Sequence, residues 1–115
     1  MSSENRTRGL DIYTSTIRYS GRDKVDVTVK SGTFWAVKPT WDMVMGYKRG
    51  EISEKEYTRR YLEILERNKK QVLDFFSNCG QVTLCCYCRP NAFCHRVLLA
   101  KWLEAHHVGK YMGER

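Results

Sequence analysis

The sequence predicts a small single-domain α/β fold, with a mostly parallel sheet and helices on both faces. Three observations predict it. The C-terminal half reads strand, helix, strand, helix, strand, and the crossover rule turns that order into parallel strands with covered faces. The run Gln81 to Tyr87 is largely apolar on both of its faces, as a central strand is. The chain has 115 residues, 42% of them hydrophobic, which is enough for one core and too few for two domains. Residues 1–9 read as a polar tail and residues 10–115 as the domain. Such an architecture is Rossmann-like.

The elements follow in order. Leu10 to Tyr19, rich in Ile, Tyr and Thr, reads as a strand, and Ser20-Gly21-Arg22-Asp23 as a turn. Val25, Val27 and Val29 alternate with Asp26, Thr28 and Lys30, a period-two strand broken at Ser31-Gly32. Phe34 to Val37 reads as a short apolar strand ended by Pro39. Thr40 caps a helix to about Arg49, with Asp42 in its first turn and Gly50 past its end. Ser53 and Glu56 form a capping box, with Ile52 and Tyr57 at the hydrophobic-staple positions. Apolar residues at Tyr57, Tyr61, Ile64, Leu65, Val72, Phe75 and Phe76 then predict one helix to about Asn78. After the central strand, Arg89-Pro90-Asn91 is a loop, and Asn91 caps a helix that begins at Phe93. His107 to Met112 is a last short strand.

Composition narrows the function. Lys and Arg number 20 against 13 Asp and Glu, a net charge of +7 that favours anionic partners. The cations are scattered, with no run longer than two. No stretch approaches the ~20 apolar residues of a membrane span, and the N-terminus has no apolar signal core. The expectation is an intracellular, cytoplasmic protein that does not enter a membrane. Five cysteines, four of them between Cys85 and Cys94, do not make a secreted disulfide framework. Clustered thiols in a reducing compartment mean a metal site, a reactive thiol or small apolar packing.

The stretch CCYCRPNAFCHR lies where a parallel sheet places ligands, at a strand's carboxyl end beside a helix N-terminus. Cys86 and Cys88 share a face if the strand continues that far. Cys94, His95 and Arg96 fall in the first helical turn, where the dipole lowers a thiol pKa and an added cation is unfavourable unless an anion binds there. Three readings compete. In the first, Arg96 and the helix N-terminus hold an anion, with Cys94 as nucleophile and His95 as acid or base. In the second, Cys86, Cys88, Cys94 and His95 are zinc ligands. In the third, the thiols simply pack. No cysteine has an arginine six positions later, so the phosphatase pattern Cys-x5-Arg is absent.

Leu84-Cys-Cys-Tyr-Cys-Arg-Pro-Asn-Ala-Phe-Cys-His-Arg-Val-Leu-Leu-Ala resembles the signature of the domain-of-unknown-function family 488. That signature is a strand ending Leu-Cys-x-Glu, then a short loop, then Cys-His-Arg opening a helix. Ile12-Tyr-Thr with Tyr19-Ser-Gly-Arg, Val25-Asp-Val-Thr, Pro39-Thr-Trp-Asp-Met-Val and the segment from Gly50 to Tyr61 extend the resemblance over about residues 10–105. Two positions depart from the pattern. Cys88 stands where the family has its acid, and Thr28 where many members have Arg. A Cys-x-Cys variant strengthens the metal reading. The resemblance implies a small α/β domain and no particular reaction, because the family's activity is uncharacterised.

Alignment with the family adds candidates from other strand ends: Arg18, Tyr19 and Ser20 after the first strand, and Asp26, Thr28 and Lys30 on the second. A parallel sheet brings these toward Cys94-His95-Arg96, and Asp26 would orient His95 or accept from a ligand hydroxyl. The resulting expectation is a site for an anionic, nucleotide-like or phosphate-bearing small molecule. It joins Cys94 and His95 for chemistry to Arg96, Asp26, Arg18, Tyr19, Ser20 and Cys88 for binding, with no cofactor. The alternatives are a structural zinc module and a nucleic-acid adaptor using Lys55, Arg59, Arg60, Arg67 and Lys70. Trp35 and Trp41 are candidates to stack a base, and the short chain allows a homodimer.

Overall fold

Strand β1 (Leu10–Thr16) pairs in parallel with β3 (Gln81–Cys86) on one side and with β4 (Gly109–Glu114) on the other. The short β2 (Lys24–Asp26) pairs in parallel with β3, giving one sheet of order β2-β3-β1-β4. The computed structural model describes residues 9–115, so the expected tail lies outside the described residues except for Gly9. Four helices complete the domain: α1 (Trp41–Lys48), α2 (Glu54–Arg67), α3 (Lys69–Ser77) and α4 (His95–Ala105). The α/β class and the parallel sheet are as the sequence predicts.

Topology distributes the helices unequally. The connections β2→β3 and β3→β4 cross the sheet in the same direction, so a common right hand puts their helices on one face. The connection β1→β2 runs the opposite way and falls on the other face. Residue parity agrees. Leu10, Ile12, Val82, Leu84 and Cys86 join one buried cluster with Met43, Tyr61, Leu65, Phe76, Leu99 and Leu103, which draws on all four helices. The second face, where helices were also expected, carries Tyr13, Ser15, Thr83 and Cys85 and receives the loop 17–23 together with Arg115. The Arg115 guanidinium lies 4.2 Å from the Tyr13 ring centre and 5.2 Å from that of Tyr19. Asp23 accepts from Tyr19 Oη at 2.6 Å, Thr83 Oγ1 at 2.7 Å and Gln81 Nε2 at 2.8 Å. Burial pushes the Asp23 carboxyl up, but these hydrogen bonds prevail and hold it at about 2.

Local competition explains where elements depart from their predicted bounds. The second strand stops at Asp26, because that carboxylate takes the Thr28 N–H at 2.9 Å and the Thr28 hydroxyl at 2.7 Å, turning the chain. Phe34 to Val37 forms a 3-10 turn, Trp35–Val37, rather than a strand. Its carbonyls are taken by α2 and the residue beyond it: Tyr61 Oη donates to Val37 at 2.7 Å and Asn68 Nδ2 to Ala36 at 3.2 Å. Asn68, with φ −102° and ψ 19°, divides the single long helix predicted over 53–78 into α2 and α3. The caps at Thr40 and Ser53 are present, accepting from Met43 N at 3.1 Å and Glu56 N at 3.0 Å. Helix α4 starts two residues later than predicted and its N-cap is Cys94, not Asn91. Asn91 instead adopts the left-handed conformation, φ 63°, in the loop before it.

Candidate functional site

Strand β3 ends at Cys86, and α4 starts at His95, so the loop between them lies at the carboxyl edge of the sheet. Central position in the sheet buries Cys86, and extended N-cap geometry turns Cys94 back toward it. The two sulfurs are 2.6 Å apart. Cys88 Sγ joins them, all three lying within 4.8 Å of one another. His95 is buried beside them. Its Nε2 donates to the Val27 carbonyl at 2.6 Å, which leaves Nδ1 as the acceptor, 3.5 Å from Tyr57 Oη and 3.7 Å from Cys94 Sγ. Burial pushes the His95 pKa below its usual value, so the ring is neutral near pH 7.

Arg96 is fully buried, and all five of its N–H groups are used. Nε and Nη2 clamp the Glu114 carboxylate at 3.2 and 2.6 Å. Nη2 also donates to the Arg89 carbonyl at 2.8 Å. Nη1 donates to the Cys88 carbonyl at 3.2 Å and to Cys86 Sγ at 2.8 Å. A guanidinium has five donors, so none is left for a ligand. Glu114 is itself fixed by the Thr14 hydroxyl at 2.5 Å. Strands β1 and β4 thus hold Arg96 through Glu114, and Arg96 holds Cys86.

The sulfurs divide one charge unequally. Hydrogen bonds from the Cys88 and Cys94 thiols favour the ionised form of Cys86 and outweigh its burial, so its pKa falls well below the ordinary thiol value. Donating to Cys86 keeps Cys94 and Cys88 protonated and moves both upward. Cys86 is therefore the sulfur whose ionised form the cluster favours, with Arg96 and Cys94 in direct contact with it and Cys88 Sγ within 4.8 Å. Burial likewise keeps the Tyr57 phenol protonated.

These groups line a cavity of about 560 Å³. Cys86, Cys88, Cys94 and His95 form its floor. Tyr47, Tyr57 and Phe93 stand together as a wall, with ring centres 5.1 to 5.9 Å apart. Trp41 and Tyr87, 55% and 60% exposed, flank the opening with Lys30, Lys48 and Arg89.

Of the residues singled out in the sequence, Cys94, His95 and Cys88 meet in this cavity, with Thr28, Lys30 and Trp41 on its lining. Arg96 sits behind the floor. Asp26 stays in its own turn, accepting from Thr28 and, at 2.6 Å, from the Ser31 hydroxyl, outside the lining. Arg18, Tyr19 and Ser20 are also outside it, and Tyr19 belongs to the Asp23 network on the opposite sheet face. Arg59 and Arg60, considered for phosphate contact, are paired with Glu56 and Glu63 on their own helix. Sequence reasoning missed Glu114, although a carboxylate at the end of the last parallel strand has a recognisable position. It also missed Tyr47 and Tyr57, whose helical spacing resembles that of core residues.

Fold and site together define a parallel α/β domain with a strand-end thiol cluster at the floor of a cavity. Over residues 2–107 the chain matches DUF488-N3a, the active DUF488-N3 subclade, and it belongs to the DUF488 family. No curated protein and no solved structure matches it. Among the described residues, no helix is long and apolar enough to cross a membrane.

Proposed function

We propose that the cavity binds an anionic small molecule with a flat ring, a nucleotide or a related phosphate-bearing compound, and that the Cys86 sulfur is the reactive group facing it. One observation carries this reading: the Cys86 sulfur, 2.8 Å from the Arg96 guanidinium, lies at the floor of a cavity walled by aromatic rings and rimmed by three cations. Rings offer stacking surface to a base. Lys30, Lys48 and Arg89 supply the anion contacts first assigned to Arg96, whose donors are spent. Cys94 is then a hydrogen-bond donor rather than the reactive group, and His95 Nδ1 is the base within reach. The subclade's description as active agrees with a chemical role.

The test is protection of Cys86 from iodoacetamide by a panel of nucleoside monophosphates, with binding measured by calorimetry. At least one nucleotide should bind and slow alkylation of Cys86, and Trp41→Ala should weaken it. If none binds, the reading fails. A second reading has its own observation, since three sulfurs within 4.8 Å are close enough for one zinc ion. That reading requires the purified protein to carry zinc and to lose stability with a chelator.

A further inference from the structure

The proposed function uses Cys86 and leaves Cys94 only as a donor. Yet the Cys86 and Cys94 sulfurs are 2.6 Å apart, inside van der Waals contact and within about half an ångström of a disulfide bond length. Both cysteines line the same cavity, so a small oxidant reaches them by the route that admits a ligand. His95 Nδ1 is 3.7 Å from Cys94 Sγ and is placed to take its proton. Arg96 Nη1 at 2.8 Å from Cys86 Sγ marks Cys86 as the sulfur that reacts first. Cys85, the adjacent thiol, lies on the other sheet face and donates to the Thr83 carbonyl at 3.4 Å, away from this pair.

We infer that Cys86 and Cys94 are a redox pair that a hydroperoxide closes to a disulfide, shutting the nucleophilic site. The Cys86 thiolate attacks the terminal peroxide oxygen, the O–O bond breaks, and the alkoxide leaves as the alcohol by taking up from solvent the proton that Cys86 released on ionising. Cys86 is then a sulfenic acid. Cys94, giving its proton to His95, attacks the Cys86 sulfur. The S–O bond breaks and hydroxide leaves as water with that proton. Two thiols and one hydroperoxide thus become one disulfide, one alcohol and one water. A thiol reductant reverses the bond.

The inference rests on the same reactive Cys86 as the proposed function, but its readout needs no nucleotide. Reduced protein, stripped with a chelator, is treated with stoichiometric hydrogen peroxide, and its mass and peptide map are recorded. The expected product has lost two hydrogens and links Cys86 to Cys94, with Cys88→Ser behaving alike. Cys94→Ser should stop at a Cys86 sulfenic acid that dimedone traps. Over-oxidation of Cys86 without a disulfide, or a Cys86–Cys88 link instead, overturns the inference. Either outcome leaves the proposed function standing, because Cys86 has still reacted. A Cys86 inert to both peroxide and iodoacetamide defeats both.

Discussion

Replacing Arg96 is the sharpest test of the site's construction. The side chain is 0% exposed and its partner Glu114 only 16%. Removing one member of a buried ion pair strands the other, a loss of about 3–5 kcal/mol, and the slight exposure of Glu114 argues for about 3. With a urea slope of about 1.5 kcal/mol per molar for a chain of this length, Arg96→Ala should lower the unfolding midpoint by about 2 M. Arg96→Lys keeps a charge but brings three donors to five acceptors and loses the paired contact on Glu114. It should lose about half as much. Cys86 should also become harder to ionise in both variants, and each unit of upward shift makes its alkylation near neutral pH about tenfold slower. Urea unfolding and iodoacetamide kinetics read the two effects separately. A loss below about 1 kcal/mol for Arg96→Ala, accompanied by weaker binding of phosphate compounds, would refute the reasoning and return Arg96 to the role of anion ligand.

Three further outcomes follow from other contacts. The His95 pKa is held down by burial, so its neutral form contributes stability fully above the unfolded value of 6.5. That stability falls as pH drops below 6.5 toward the depressed folded pKa, at no more than about 1.4 kcal/mol per pH unit, a slope that His95→Gln should remove from unfolding curves. At Gly32 an added Cβ would lie 2.4 Å from the Thr28 carbonyl oxygen and 2.8 Å from that of Asp26. Gly32→Ala should therefore open the turn that presents Val27 to His95, lowering the thermal midpoint and shifting the imidazole NMR signals. Asn68→Ala loses the bond to the Ala36 carbonyl and should destabilise by about 1 kcal/mol in urea, without changing Cys86 reactivity.

The parallel sheet was legible because strand periodicity and helix caps are local. Thr40 and Ser53 announce their helices through side chains that bond three residues on, and Gln81 to Cys86 shows its central place by being apolar on both faces. The division at Asn68 was not legible. It depends on the Ala36 carbonyl, 32 residues away, and nothing in the apolar spacing changes there. The site was half legible. Cys94 and His95 are sequence neighbours, and their meeting with Cys86 follows from strand-end geometry. Arg96 read as an anion ligand because a cation in a first helical turn looks unpartnered. Its partner Glu114 is 18 residues on, at the end of a strand expected to stop at Met112.

The same pairing accounts for Cys88, where the resembled family has an acid. What Arg96 takes from residue 88 is the backbone carbonyl, which any residue provides, while its carboxylate comes from Glu114. The side chain at 88 is therefore free to act on Cys86, whose ionised form a donating thiol there favours. A carboxylate at that place would put a second negative charge beside Cys86 and withdraw one of its hydrogen bonds. Both changes favour the neutral thiol. Cys88→Glu should then raise the Cys86 pKa and slow its alkylation at neutral pH by at least about tenfold, while Cys88→Ser, which keeps a donor, should stay near the parent rate. Faster alkylation in Cys88→Glu would show that the charge sits elsewhere in the cluster, with Cys94 rather than Cys86 as the attacking sulfur.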